Sequence, residues 1–466
     1  MNSLVVKIPD VNLAAAIRDA LNLGPTDPIP QNLLEGLEKL YAGQKNIKDL
    51  TGLEKATGLT VLHLYRNQIK DITPLAKLTQ LTELNIENSG LGDIKFLSDL
   101  TQLTHLALKS NLISDITPLK NLTQLVYLDL TGDQVSDPHE GNRISDITPL
   151  AGMTQLKKLS LNWNLISDIT PLTGLTQLTS LQLDGNQICD ITPLTGLTQL
   201  TTLSLSFNHL SDIKLLSELT QLKKLYLRHT QISDITPLTR LTKLTRLNLD
   251  QNQISDITPL VKLTQLTSLS LGSNQISDIT PLTRLTKLTR LSLAGTQISD
   301  IAPLMNLTKL KNLHLGHNKI SNITPLTELT RLTYLYLRDN QINDITPLTN
   351  LTQLVQLWLE DNQINDITPL TNLTQLKSLN LSRNEISNII PITKLTQLRT
   401  LFLKENHIND VSPVKNLIGL KGLWVKDNPI QDIVPLRNLL KQLPYLNLDI
   451  KAQAELDIQS SPTNKK

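Results

Sequence analysis

A 22-residue wording returns at fixed spacing along most of this 466-residue chain, and that repeat limits the fold more than any other feature. Aligning on L-x-x-L-x-L-x-x-N-x-I places unit starts at Leu37, Leu59, Leu81, Leu103 and Leu125, then at Leu156 and every 22 residues to Leu420. With a degenerate last unit from Leu443, the count is 19. A unit this short cannot enclose a core alone, so neighbours must stack into a solenoid rather than fold as separate globular domains.

The unit 266–288 shows how. Its apolar residues are Leu266, Leu269, Leu271, Ile276, Ile279, Leu282 and Leu285. Spacing of two around Leu269 predicts a short strand, and spacing of three from Ile276 predicts a return leg of 3₁₀ or irregular character. Asp278 is placed to close an Asx-turn, and Thr280, before Pro281, is expected to cap the turn that follows. Asn274 and its equivalents form a column expected to bond backbone groups of their own and neighbouring units.

Over residues 37–450 the pattern resembles the leucine-rich repeat family, and the S-D-I-T-P-L wording is similar to its internalin-like class. The segment Ile8-Pro9-Asp10-Val11-Asn12-Leu13-Ala14-Ala15-Ala16-Ile17, with Asp19-Ala20-Leu21, is similar to the helical cap of internalins. The resemblance implies an α/β solenoid: a horseshoe with a parallel concave β-sheet, a 3₁₀ or irregular convex side and a bacterial protein-binding role. Residues 1–36 then form a helical cap with Leu13, Ile17 and Leu21 on one stripe. Residues 37–450 form the array and residues 451–466 a polar tail. The 22-residue repeat also resembles the regulatory leucine-rich repeat subunit of protein phosphatase type 1.

The charge balance, 44 Lys plus Arg against 42 Asp plus Glu, favours neither nucleic acid nor an anionic membrane as main partner. No 18-residue apolar run or signal peptide is present, so the chain reads as cytoplasmic as it stands, or as secreted or surface-exposed if it is a mature form. One cysteine, Cys189, permits neither an intrachain disulfide nor a Cys-based zinc site. No phosphate loop, dinucleotide fingerprint, H-E-x-x-H or G-x-S-x-G motif occurs, and no cofactor is expected. His314 and His317 lack a third ligand of fixed position, so no metal is assigned to them.

What varies between units is the set of strand residues pointing away from the core. Twelve of the 13 aromatics fall there, Phe96 being the exception. Cross-strand ring stacking is one explanation and partner binding the other. Two clusters stand out. Tyr334, Tyr336 and Arg338 are followed one unit later by Trp358 and Glu360. Tyr226, Arg228 and His229, with Lys224, form a basic group suited to an acidic patch or phosphate. Phe402 and Trp424 complete the candidate partner-binding residues. Between Leu125 and Leu156 the spacing is 31 rather than 22, which places a polar loop near 133–144, on the binding face or merely tolerated. The expected function is therefore that of a monomeric, non-enzymatic module binding a protein partner on its concave face. A phosphatase-type regulatory subunit and a self-associating scaffold are the alternatives.

Overall fold

The computed structural model describes residues 4–133, 141–432, 434–436 and 445–447. It comprises two compact units, Met1–Ile232 and Ser233–Lys466. The first begins with β1 (Val5–Val6), α1 (Val11–Ala20), β2 (Ile29–Pro30, antiparallel to β1) and α2 (Gln31–Glu35). One carboxylate oxygen of Asp10 accepts from the amides of Asn12 and Leu13 at 2.9 and 3.0 Å. The other accepts from Lys48 and Asp49 at 2.8 and 3.2 Å, so a single side chain caps α1 and ties it to the first repeat. Leu13, Ala14, Ala16 and Ile17 form the buried face. Leu21 is only half-buried, because the helix ends one residue before it.

Three-residue strands follow, nine from Lys39–Tyr41 to Lys224–Tyr226 in the first unit and ten from Arg246–Asn248 to Tyr445–Asn447 in the second. Within each unit consecutive strands pair in parallel, each central Leu beside the next, as Leu269 beside Leu291. Side chains alternate across a strand, so Leu269 is buried while Ser268 and Ser270 keep part of their surface in solvent. The return leg is 3₁₀, as in Thr280–Arg284, and inward Leu and Ile residues from both legs make up the core. No helix among the described residues is long and apolar enough to cross a membrane.

The Asx-turn forms as expected: Asp278 Oδ1 accepts the Thr280 amide at 2.8 Å. Thr280, however, is not the cap. It is the first residue of the 3₁₀ turn, and its hydroxyl donates to the same aspartate, as Thr192 donates to Asp190 at 2.6 Å. A carboxylate two residues upstream satisfies both donors, leaving the threonine oxygen no amide to cap. Asn322 and Asn388 accept the same amide bond without a charge, at 2.9 and 3.0 Å.

The asparagine column bridges units as expected. Asn274 Oδ1 accepts from the Ile254 amide at 3.0 Å, and its Nδ2 donates to Leu249 and Leu271 carbonyls at 2.9 Å each. The residue before each ladder position turns the chain with positive φ, for example 58° at Phe207, 52° at Asp339 and 65° at Gly295. Asn142, which the sequence reading leaves in the inserted loop, occupies a ladder position. Its side chain bonds the Ile113 amide and the Leu108 and Leu130 carbonyls. The nine extra residues therefore precede it, and the strands Tyr127–Asp129 and Lys158–Ser160 still pair in register. Residues 134–140 of that loop and the tail 451–466 lie outside the described residues.

Candidate functional site

The alternation that buries Leu puts the residues on either side of it on the opposite face of the sheet, and there the aromatics gather. In the second unit His314, Tyr336, Trp358, Phe402 and Trp424 form one run of rings. Successive centroids lie 5.2, 5.9, 6.3 and 4.1 Å apart. The gap between Trp358 and Phe402 spans the Ser378–Asn380 strand, where Asn380 is buried beneath the rings and donates to Glu360 Oε2 at 3.0 Å. Phe402 and Trp424 stack nearly parallel, at 14°.

Glycines provide seats for some of these rings. A Cβ on Gly422 would lie 2.5 Å from the Trp424 six-membered ring, and one on Gly185 would lie 2.1 Å from the Trp163 ring. Trp424 can fold back over its own strand only because residue 422 has no side chain.

Among the described residues, the buried indole nitrogen of Trp358 has no hydrogen-bond partner. A buried unpaired N–H costs about 1–3 kcal/mol, so the ring is held there by its neighbours despite its own polar group. Burial, then the Arg338 guanidinium, pull His314 below its ordinary pKa. Tyr336 donates to Gln356 Oε1 at 3.0 Å.

Charged residues border the rings on the side where the strands end. Arg338 Nε donates to His317 Nε2 at 2.8 Å, and His317 Nδ1 lies 2.7 Å from Asp339 Oδ2. Further along, Arg383 bridges Asp361 and Glu405 at 3.3 and 3.1 Å, and Lys404 pairs with Glu405 at 2.8 Å. These pairs are solvent-exposed and screened by salt, so they orient one another more than they stabilise the fold.

In the first unit the rings form a shorter group. Trp163, Phe207 and His229 succeed one another at 5.4 and 5.5 Å, with the Arg228 guanidinium 5.2 Å from the Phe207 ring centre. Tyr226 is half-buried on the same face beside Ser204. Nearer the cap, burial and the carboxylates of Asp129 and Glu87 push the Tyr127 hydroxyl up to about 12.

Of the sequence candidates, Tyr336, Trp358, Phe402 and Trp424 come together in one run, with Arg338 and Glu360 at its margin. Tyr334 shares the face but stacks on no ring among the described residues, its strand neighbours being Asn312 and Gln356. Tyr226, Arg228 and His229 belong to the first unit. Phe96 is buried in the return leg Lys95–Asp99. Sequence reasoning missed His314 as the start of the run and Trp163 and Phe207 as partners of His229. Gly185, one period after Trp163, was the available signal.

The sequence matches the family described as Leucine Rich repeats (2 copies) over residues 57–100, 101–152, 154–196, 198–240, 242–284, 286–328 and 330–372, and Leucine Rich Repeat over 375–393. No curated protein resembles it closely enough to count as a match. Among solved structures it is similar to an internalin, InlF, from Listeria monocytogenes, at 36% identity, covering 80% of this chain and 96% of that one with a TM-score of 0.54. It is also similar to the functional domain of InlJ from the same organism, which includes a cysteine ladder. There the identity is 24%, the coverage 90% and 80%, and the TM-score 0.54. The leucine-rich repeat ectodomain of the Arabidopsis thaliana receptor kinase GASSHO1/SCHENGEN3 shares the fold at 22% identity and TM-score 0.67, over 90% of this chain and 56% of that one.

Proposed function

The chain belongs to the leucine-rich repeat family, in its internalin-like class, and from that premise we propose that it is a non-enzymatic module gripping a protein partner on the concave, strand-bearing face of its second unit. The observation that carries this reading is the run His314–Tyr336–Trp358–Phe402–Trp424. The aliphatic ladder beneath is already closed, each central strand Leu being almost wholly buried, so folding does not call for rings above it. Stacking does stabilise neighbouring strands, by about 0.2–1 kcal/mol per pair, yet β-branched pairs would serve as well without an orphaned indole N–H. Rings held rigid by their neighbours lose little entropy on binding, and Trp, Tyr and Arg predominate among interface anchors. Arg338, Glu360, Asp339 and Asp361 supply a mixed-charge rim suited to orienting a protein rather than a polyanion.

The test is affinity capture from cell lysates with the intact chain, with Tyr336→Ala/Trp358→Ala, and with a return-leg control, Met305→Ala. A partner held by the intact chain and the control but lost by the ring variant supports the proposal. A partner held equally by all three refutes it.

A further inference from the structure

A second feature of the same sheet lies outside the ring run and is independent of the reading above. Thr is the commonest residue immediately before the three-residue strand, and in seven units its hydroxyl donates to a carbonyl of the preceding unit. Thr179 bonds Lys157 in this way, Thr201 bonds Thr179, and Thr267 bonds Thr245, each at 3.0 Å. Lys157, Lys223 and Lys311 stand singly at this position, whereas three consecutive units of the second half exchange the hydroxyl for Lys377, Arg399 and Lys421. The fold gains nothing from the exchange. It gives up a hydroxyl bond and sets three like charges side by side on strands about 4.8 Å apart, an arrangement that destabilises a sheet.

The register is direct. The Lys377 carbonyl accepts the amides of Arg399 and Thr400, and the Arg399 carbonyl accepts those of Lys421 and Gly422. All three side chains are exposed, and none is in an ion pair among the described residues. They line a cleft of about 390 Å³ with Thr396, Gln397 and Gly419. Gly419 is a further departure, since the equivalent places carry Gln353, Gln375 and Gln397. The missing side chain leaves the cleft open, and a Cβ there would meet the Thr396 and Leu398 carbonyl oxygens only at an ordinary 3.7 Å.

We propose that Lys377, Arg399 and Lys421 form an oxyanion-binding cleft that takes a doubly charged phosphate or sulfate group, free or as the monoester of a small molecule. An Arg fork matches two oxygens of such a group, two ammonium groups supply point charges, and the Thr396 hydroxyl and Gln397 amide offer neutral donors. Neutralising the trio removes the repulsion that the sequence otherwise tolerates.

The experiment is an NMR or calorimetric titration of the full chain with sodium phosphate, sodium sulfate and glucose 6-phosphate, against sodium chloride at matched ionic strength. Two variants accompany it. Lys377→Thr/Arg399→Thr/Lys421→Thr restores the residue the repeat prefers and so retains the fold, which a thermal melt verifies. Gly419→Gln keeps every charge and fills the cleft. Saturable one-site binding to the dianions is expected. It should weaken at least about tenfold in the triple variant and at least about threefold in Gly419→Gln, and be unchanged in Tyr336→Ala/Trp358→Ala. Tighter binding of the sugar ester than of inorganic phosphate identifies a monoester as the ligand, and equal binding a free anion. A response that chloride reproduces, or that survives the triple variant, or that Gly419→Gln leaves intact, overturns the proposal. Because the ring variant is a separate arm, failure here leaves the protein-binding reading standing, and the converse.

Discussion

Replacing one ladder asparagine, Asn274→Ala, tests what holds successive units together. Its three shortest bonds vanish at once, the one from the Ile254 amide at 3.0 Å and those to the Leu249 and Leu271 carbonyls at 2.9 Å each, along with a 3.3 Å bond to the Gly272 carbonyl, which keeps the Gln251 amide. The side chain is only 6% exposed, so water does not readily replace it. One amide and two carbonyls are left unpaired at about 1–3 kcal/mol each, and partial relaxation brings the expected loss to roughly 3–6 kcal/mol. Asn274→Thr should cost about half of that, because the chain already uses Thr in the column: Thr296 Oγ1 donates to the Leu293 carbonyl at 2.9 Å, keeping one of the three bonds. Urea unfolding followed by circular dichroism reads the loss. Amide hydrogen exchange localises it, since in a stacked array the weakened interface should open first, around Ile254. If Asn274→Ala costs less than about 1 kcal/mol, or exchange accelerates evenly along the chain, the ladder is not the adhesive between units.

The converse change should stabilise: with Thr at 296, no partner for the Ile276 amide appears among the described residues, so Thr296→Asn is expected to add about 1 kcal/mol in the same unfolding assay. Trp358→Phe removes the orphaned indole N–H while keeping a ring in the run, and thermal melting should show stability unchanged or up to about 1 kcal/mol higher; a large loss would mean that the nitrogen has a partner after all. The turn aspartates, including Asp256, Asp278, Asp344 and Asp366, are held below their ordinary pKa by the hydroxyl and amide of the threonine two residues on. A depressed folded-state pKa gives stability that is complete above the unfolded value near 3.8 and is lost as pH falls through the folded one. Acid melts should therefore decline below about pH 4, and changing these four residues to Asn, the residue the chain itself uses at 322 and 388, should flatten that decline by lowering the neutral-pH melt toward the acid value.

The repeat made the core legible, because Leu and Ile places recur whatever surrounds them and the spacings of two and three translate directly into strand and 3₁₀ turn. Asn274 and Asp278 were legible for the same reason, each having one local geometry that satisfies it. Thr280 was misread because two polar residues compete for one turn, and spacing does not say that the Asp278 carboxylate serves both the Thr280 amide and its hydroxyl. Asn142 was hidden by an insertion that ends immediately before it. The face aromatics were placed on the right side of the sheet, but which rings touch depends on reach. Trp358 meets Phe402 across Asn380, and Trp424 lies over Gly422, neither of which a 22-residue period reveals. The row Lys377, Arg399 and Lys421 stands plainly in the sequence. It gains meaning only once the hydroxyl bonds that Thr makes at seven equivalent places show what those three units lack.

The central claim is that the ring-bearing face of the second unit is where a partner sits, and photo-crosslinking tests it most directly. Benzoylphenylalanine is introduced in place of Phe402, within the run, or of Met305, exposed at the end of a return-leg turn, and each protein is irradiated with the captured partner. The account predicts a covalent adduct from position 402 and none from 305. An adduct from 305 with none from 402 would place the partner on the opposite side of the repeat and contradict it.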